Sequence, residues 1–113
     1  MVIQLSELGC KRVALIGGEV FMRPDWAIIA NALTSKNIKT AIITNGFLFS
    51  PQLINLVKAT NIESIAVSID GTEQIHDKFR QKGSFARALK AIDELSINNI
   101  PVSVISTLNS ENV

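Results

Sequence analysis

Residues 39–46 are KTAIITNG, a run rich in β-branched side chains that ends on a Thr-Asn-Gly turn. A run of this kind predicts a buried strand over Lys39–Thr44, which the chain leaves at Asn45 and Gly46. Three further runs with the same character lie on either side of it and predict strands over residues 12–16, 64–69 and 102–107.

Apolar residues spaced three and four positions apart predict helices between these strands. The first begins near Pro24 and Asp25, the second begins at the Ser50-Pro51 pair and ends near Thr60, and the third runs from about Ser84 to before Pro101. Their predicted apolar faces include Trp26, Ile29, Ala30, Leu33, Leu53, Ile54, Val57, Phe85, Ala88, Leu89, Ile92 and Leu95. Strands alternating with helices predict an α/β fold with a parallel sheet.

The two ends of the chain resemble incomplete helices. Val2, Leu5 and Leu8, followed by Gly9, predict the last turns of a helix, and Asn109 or Ser110 has the chemistry of a helix cap. We therefore expect one domain over residues 1–113, a piece of a larger parallel β/α protein with four strands from a closed barrel.

Composition limits the classes of partner. The 113 residues carry 11 Lys plus Arg and 10 Asp plus Glu, a formal charge of +1, which predicts no nucleic-acid or acidic-membrane footprint. Charge or Gly interrupts every apolar run before the roughly 20 residues that a membrane helix needs, and no signal-peptide pattern follows Met1. These features predict a cytoplasmic protein.

Small and polar residues follow three of the predicted strands. They are Gly17-Gly18-Glu19, Thr44-Asn45-Gly46 and Ser68-Ile69-Asp70-Gly71. In parallel β/α folds, ligands lie beyond the carboxyl ends of the strands, so three such segments at one edge favour a binding site. The alternative is that Gly and Asn only make tight turns there.

The order of these segments resembles the radical S-adenosylmethionine (radical SAM) enzymes. Gly17-Gly18-Glu19 resembles their Gly-Gly-Glu motif, and Thr44-Asn45-Gly46 resembles the end of their next barrel strand. Ser68-Ile69-Asp70-Gly71, then His76-Asp77 with Arg80, and Gly83-Ser84-Phe85 are similar to a succession in one branch. That branch includes the anaerobic sulfatase-maturing and the peptide- and tetrapyrrole-modifying enzymes. The resemblance implies about four strands of a partial (β/α)6 TIM-like barrel.

The resemblance also implies how S-adenosylmethionine would be bound. Gly17, Gly18 and Glu19 match the strand end that meets the methionyl ammonium group, although Val20 stands where the family usually has proline. Ser68 and Arg80 match the pair that contacts the methionyl carboxylate, a task that suits a hydroxyl and a planar guanidinium.

Asn45 lies, on the same resemblance, near the cofactor or the substrate. His76 is the only histidine, and we expect it to order a loop rather than to act as a general base. No catalytic residue is assigned from the sequence.

The family's iron-sulfur cluster has no counterpart here. Family enzymes hold a 4Fe-4S cluster on three cysteines spaced Cys-x3-Cys-x2-Cys, whereas this chain contains only Cys10. Cys10 precedes the first strand, at the opposite end of the sheet from the motifs, and we expect it to pack as a small hydrophobe. No metal ligand is therefore predicted in this chain, and S-adenosylmethionine should bind weakly.

Two hypotheses follow. In the first, the chain is a fragment of a radical SAM oxidoreductase whose intact form makes a 5′-deoxyadenosyl radical to modify a peptide, cofactor or tetrapyrrole. In the second, it is a non-catalytic stand-alone α/β binding or oligomerisation domain that has lost the cluster site. Open sheet edges predict a homo-oligomer in either case.

Overall fold

In a computed structural model of the chain, the described residues are 2–16, 19–106 and 110. They form alternating helices and strands, with a short 3-10 turn at Val20–Met22 before the second helix. The strands are β1 (Arg12–Leu15), β2 (Lys39–Thr44), β3 (Ser64–Ser68) and β4 (Val102–Ile105), and the helices are α1 (Val2–Glu7), α2 (Trp26–Ser35), α3 (Pro51–Ala59), α4 (Glu73–Phe79) and α5 (Ser84–Ile97).

The four strands form one parallel sheet in the order β1-β2-β3-β4. In the central register, Ile42 of β2 lies between Leu15 of β1 and Ile65 of β3. Helices connect successive strands, because a parallel neighbour is reached only by a crossover that returns the chain to the same end of the sheet. The predicted α/β class and parallel order are confirmed, and β1 and β4 are the edges of the described sheet.

The core lies between the helices and one face of the sheet. Alternate strand residues, including Ile42, Ile65 and Val67, are completely buried on that face, which is the two-residue period of a strand. The helices cover them with Trp26, Ala30, Leu33, Leu53, Ile54, Val57, Ala88, Ala91 and Leu95. The predicted core helix faces are therefore confirmed at these positions except Ala91, which the spacing does not predict. The carboxyl ends of all four strands meet at one edge.

Three asparagines end the crossover helices in the same way. Asn37, Asn61 and Asn99 follow α2, α3 and α5 with φ of +59°, +54° and +59°. Asparagine tolerates this left-handed conformation better than most residues, so the helix stops and the chain turns into the next strand. The N–H of Ile38 and that of Ile100 then donate to carbonyl oxygens five residues back, at 3.1 and 2.9 Å.

Helix starts differ in part from the expectation. Ser50 accepts a hydrogen bond from the Leu53 N–H at 3.2 Å, so the predicted cap of α3 is confirmed. Pro24 instead lies in the turn before α2, and the Asp25 carboxylate pairs with Arg23 rather than capping the helix.

Several positions depart from the predicted pattern. Strands β1 and β3 each end one residue earlier than predicted, and β4 ends at Ile105, so Ser106 is not part of it as predicted. Thr107 and Asn109 lie outside the described residues. Leu89 is 43% exposed rather than part of the α5 face, because the buried stripe of α5 is Ser84, Ala88, Ala91 and Leu95. Helix α4 was not predicted at all. Among the described residues, no helix is long and apolar enough to cross a membrane.

Candidate functional site

Glu19 precedes the 3-10 turn, and its carboxylate joins that turn to the end of β2. Oε1 accepts from the Asn45 N–H at 2.8 Å, Oε2 accepts from the Phe21 N–H at 3.1 Å, and the Thr44 hydroxyl lies 2.8 Å from both oxygens. A carboxylate offers roughly four acceptor positions, and these three donors use three of them. Glu19 therefore fixes the sheet edge and keeps capacity for one further donor, such as an ammonium group.

Asn45 and Gly46 turn the chain away from β2. The Asn45 Oδ1 accepts from the Phe47 N–H at 2.8 Å, and the Gly46 N–H donates to the Thr44 Oγ1 at 3.2 Å. Because its Oδ1 is engaged by the backbone, the NH2 group of Asn45 is the part of the side chain suited to meet a ligand. Gly46 adopts φ of +77° at the point where the turn approaches α5.

Arg80 ends α4 and is held by Asp70 from the turn after β3. The Arg80 Nε donates to the Asp70 Oδ2 at 2.9 Å, and the side chains are 31% and 10% exposed. Within the described residues this contact uses one of the five guanidinium donors, and it sets the plane of the group. The two Nη groups can then form the paired contact that guanidinium makes with a carboxylate.

His76 lies on α4 and is completely buried. Its Nδ1 accepts from the Asp70 N–H at 3.0 Å, so the neutral ring carries its proton on Nε2, which has no hydrogen-bond partner among the described residues. Burial lowers the pKa of His76, and the nearby Arg80 charge lowers it further, against the opposing effect of Asp70 and Asp77. A buried neutral imidazole that orders the turn after β3 agrees with the expected ordering role.

Asp77 organises the start of α5. Its Oδ2 accepts from the Gly83 N–H and its Oδ1 from the Phe85 N–H, both at 2.9 Å, and the Ser84 hydroxyl lies 3.3 Å from Oδ1. The backbone hydrogen bonds from Phe85 and Gly83 lower the pKa of Asp77. The Asp77 carboxylate therefore holds the segment between Arg80 and α5 against α4.

One cavity brings three of the predicted site residues together. It measures about 460 Å³, and its lining includes Glu19, Asn45 and Arg80. The remaining lining residues are Met22, Phe47, Leu48, Gln81 and Ser84. A space of this size falls in the range of small-molecule sites, and it combines a carboxylate, an amide and a guanidinium with apolar walls.

Two parts of the predicted site are placed differently. Ser68 ends β3 and is half-buried, but it does not belong to the lining of this cavity. Gly17 and Gly18 lie outside the described residues. The binding roles of all six residues stay predictions, although the opposite charges of Glu19 and Arg80 suit a zwitterionic methionyl group.

The residues present do not fit an iron-sulfur cluster. The chain has one cysteine, and its Sγ lies 3.4 Å from the Arg12 carbonyl oxygen, beside the amino end of β1. The motif segments lie at the other end of the sheet, and no group of three or more possible metal-binding side chains occurs in the part of the chain that the structure describes. Cys10 is half-buried, as expected for a packing residue.

Comparison with known proteins identifies the family. Residues 1–112 match the family model of the radical SAM superfamily. The chain belongs to this superfamily. The resemblance carried by the strand-end motifs is thereby confirmed.

Two relatives of this radical SAM chain illustrate its branch. It is 31% identical over 112 residues to the AdoMet-dependent heme synthase of Methanosarcina barkeri (strain Fusaro / DSM 804), covering 97% of the chain and 32% of that protein. It is 33% identical over 112 residues to the antilisterial bacteriocin subtilosin biosynthesis protein AlbA of Bacillus subtilis (strain 168), covering 96% of the chain and 25% of that protein. The chain spans a quarter to a third of these relatives' length.

A solved structure supports the observed fold. A domain of pyruvate-formate lyase-activating enzyme from Bacteroides vulgatus ATCC 8482 matches with a TM-score of 0.73 and 18% identity, over 90% of this chain and 66% of that one. At this identity the likeness bears on the fold alone, and it confirms four parallel β/α strands of a partial TIM-like barrel.

Sequence reasoning missed the polar partners that hold the site. Asp70 and Asp77 belong to the strand-end motifs, but the motifs alone do not predict what either side chain contacts. Thr44 is predicted only as part of a turn. Neighbouring parallel strands end at the same edge, so the meeting of Glu19 with Thr44 could have been found from the strand order.

Proposed function

We propose that this chain supplies much of the methionyl-binding surface of a radical SAM oxidoreductase. The observation that carries the proposal is that Glu19, Asn45 and Arg80 line one cavity together at the carboxyl edge of the sheet. When bound in such enzymes, S-adenosylmethionine supplies the radical that abstracts a hydrogen atom from the substrate.

The residues of the chain divide the task by charge. Glu19 accepts from the methionyl ammonium group through its remaining acceptor position, and Arg80 donates its Nη groups to the carboxylate. Asn45 donates its NH2 group to the cofactor or substrate. Ser68, at the end of β3 and outside the lining of this cavity, is kept as a proposed further contact of the carboxylate on the family resemblance alone, as are Gly17 and Gly18 for the close approach of the ammonium group.

We propose that the 113 residues are one domain of a longer cytoplasmic enzyme. The cluster-binding cysteines then lie outside this chain, since one thiol cannot replace three. The named relatives are a heme synthase and a bacteriocin biosynthesis protein, which supports a tetrapyrrole or a peptide as the substrate. Neither nucleic acid nor a membrane is a proposed partner.

A second candidate function is a non-catalytic binding or oligomerisation domain. The single cysteine favours it, because a chain without cluster ligands cannot carry out the reductive step. The DNA upstream of the codon for Met1 separates the two. An in-frame Cys-x3-Cys-x2-Cys segment supports the enzyme, and a stop codon followed by a native start supports the stand-alone domain.

The binding proposal is tested by titrating the 15N-labelled chain with S-adenosylmethionine. We expect weak binding, at micromolar or lower affinity, because no cluster iron is present to chelate the methionyl group. Arg80→Ala should weaken it about tenfold, the lower end for a hydrogen bond to a charged group, since Arg80 is partly exposed.

Arg12→Ala is the matched control. Arg12 also pairs with a carboxylate, Glu63 at 3.0 Å, but at the amino end of the sheet, so its loss should leave the affinity unchanged. Equal affinities for the wild-type chain and Arg80→Ala would refute the assignment of Arg80, and sub-micromolar binding would contradict the role given to the missing iron.

A further inference from the structure

His76 is connected to both members of the ion pair at the cavity. Its ring Nδ1 accepts from the Asp70 N–H at 3.0 Å, and its carbonyl oxygen accepts from the Arg80 N–H at 3.0 Å. The Asp70 carboxylate in turn accepts from the Arg80 Nε at 2.9 Å. The completely buried His76 thus contacts the backbone N–H groups of Asp70 and Arg80, the two residues whose side chains form the ion pair.

Position 76 is buried, and an apolar side chain could fill it at a lower cost in free energy than histidine. The His76 Nε2–H is buried and has no hydrogen-bond partner among the described residues, which is unfavourable for folding. Among the contacts of His76 within the described residues, the hydrogen bond that Nδ1 accepts from the Asp70 N–H is the one that needs a ring nitrogen. Phe85, whose ring centroid lies 5.8 Å from that of His76, packs against the imidazole edge-on.

We propose that His76 is a positioning residue that fixes the turn carrying Asp70 and thereby sets the plane of the Arg80 guanidinium at the cavity. The inference rests on the proposed function only for its consequence, the binding of a carboxylate by Arg80. The placement of Arg80 itself exists in the free chain and can be measured without a ligand.

Asp77 acts on the same segment in a different way. It accepts from the backbone N–H groups of Gly83 and Phe85, so it fixes the main chain after Arg80. His76 acts on the Arg80 side chain through Asp70, and its replacement should disturb the guanidinium while the start of α5 stays in place.

Two amide variants separate the acceptor from the bulk of the ring. In His76→Asn the side-chain oxygen can take the place of Nδ1, whereas in His76→Gln the amide extends to the place of Nε2. Asn therefore retains the acceptor for the Asp70 N–H and Gln does not. His76→Leu fills the buried space without any acceptor and replaces His76→Gln if that variant does not fold.

The first readout is the Arg80 Nε–H resonance in the 15N-labelled full chain, assigned by its absence in Arg80→Ala. We expect a resolved, exchange-protected signal in the wild-type chain and in His76→Asn, and a signal with the exchange rate of an exposed arginine in His76→Gln or His76→Leu. A protected signal in the variants without the acceptor overturns the proposal, because a merely space-filling histidine would give that result.

The second readout is affinity for S-adenosylmethionine. Loss of the acceptor should weaken binding about three- to tenfold, the range for one hydrogen bond, and should have no further effect in the Arg80→Ala background. Binding that depends on Arg80 but not on His76 refutes the positioning role. If no variant binds the ligand while the Nε–H pattern holds, the proposed function fails and the positioning of Arg80 stands.

Discussion

Gly46, the glycine of the Thr-Asn-Gly turn, should not tolerate alanine. It adopts φ of +77°, and a Cβ there would lie 3.0 Å from the Ala88 Cα, 3.2 Å from the Val67 Cγ1 and 3.4 Å from the Ala91 Cβ. The nearest of these atoms is helix backbone, which cannot rotate away as a side chain can. Gly46→Ala therefore has to push α5 from the sheet or distort the turn.

The expected cost has two parts. A left-handed conformation costs a non-glycine residue roughly 1–2 kcal/mol, partly offset by about 0.4–1 kcal/mol because alanine restricts the unfolded chain. Overpacking of a closely packed interior adds typically about 1–3 kcal/mol. We expect Gly46→Ala to lower the free energy of unfolding by about 2–4 kcal/mol.

Gly83 provides the matched control. Its φ is +84°, close to that of Gly46, but a Cβ there meets no atom within 4 Å. Gly83→Ala should therefore show only the conformational part, about 1 kcal/mol. Urea unfolding followed by circular dichroism gives both values, and their difference isolates the contact with α5. Equal losses in the two variants would refute the packing argument.

Two further predictions concern acid and assembly. Because the folded chain lowers the pKa of His76, the unfolded chain binds its proton first, so stability is complete above about pH 6.5 and falls as the pH drops below that value. Asp77, whose pKa is also lowered, adds a second loss as the pH falls below 3.8. Urea midpoints from pH 7.5 to 5.5 should fall in the wild-type chain and stay flatter in His76→Leu; parallel slopes would contradict this. The open edges β1 and β4, where Ile16 directly after β1 and Val104 in β4 are 66% and 54% exposed, predict a homodimer by light scattering at micromolar concentration. A monomer with exchange-protected edge amides would exclude it.

The alternation of strands and helices was predictable because each buried strand combines β-branched residues with a polar exit. Helix α4 was not, since Glu73–Phe79 has only seven residues, too few for an apolar spacing to repeat. Among the side chains of α4 whose burial the structure describes, the buried one is the polar His76. Hydrophobic periodicity does not mark a helix whose interior contact is a hydrogen bond.

The same distinction explains the site. Strand order alone places Glu19 beside Thr44, because parallel neighbours end at one edge, and the motifs single out Arg80. The orientation of Arg80, however, depends on Asp70, which is ten residues away, and on an imidazole tautomer set by the Asp70 amide. A motif shows only which residue types follow one another along the chain. The motif does not show which atoms of each side chain bind within the fold and which can bind a ligand. That division follows from the packing of the turn after β3 against α4.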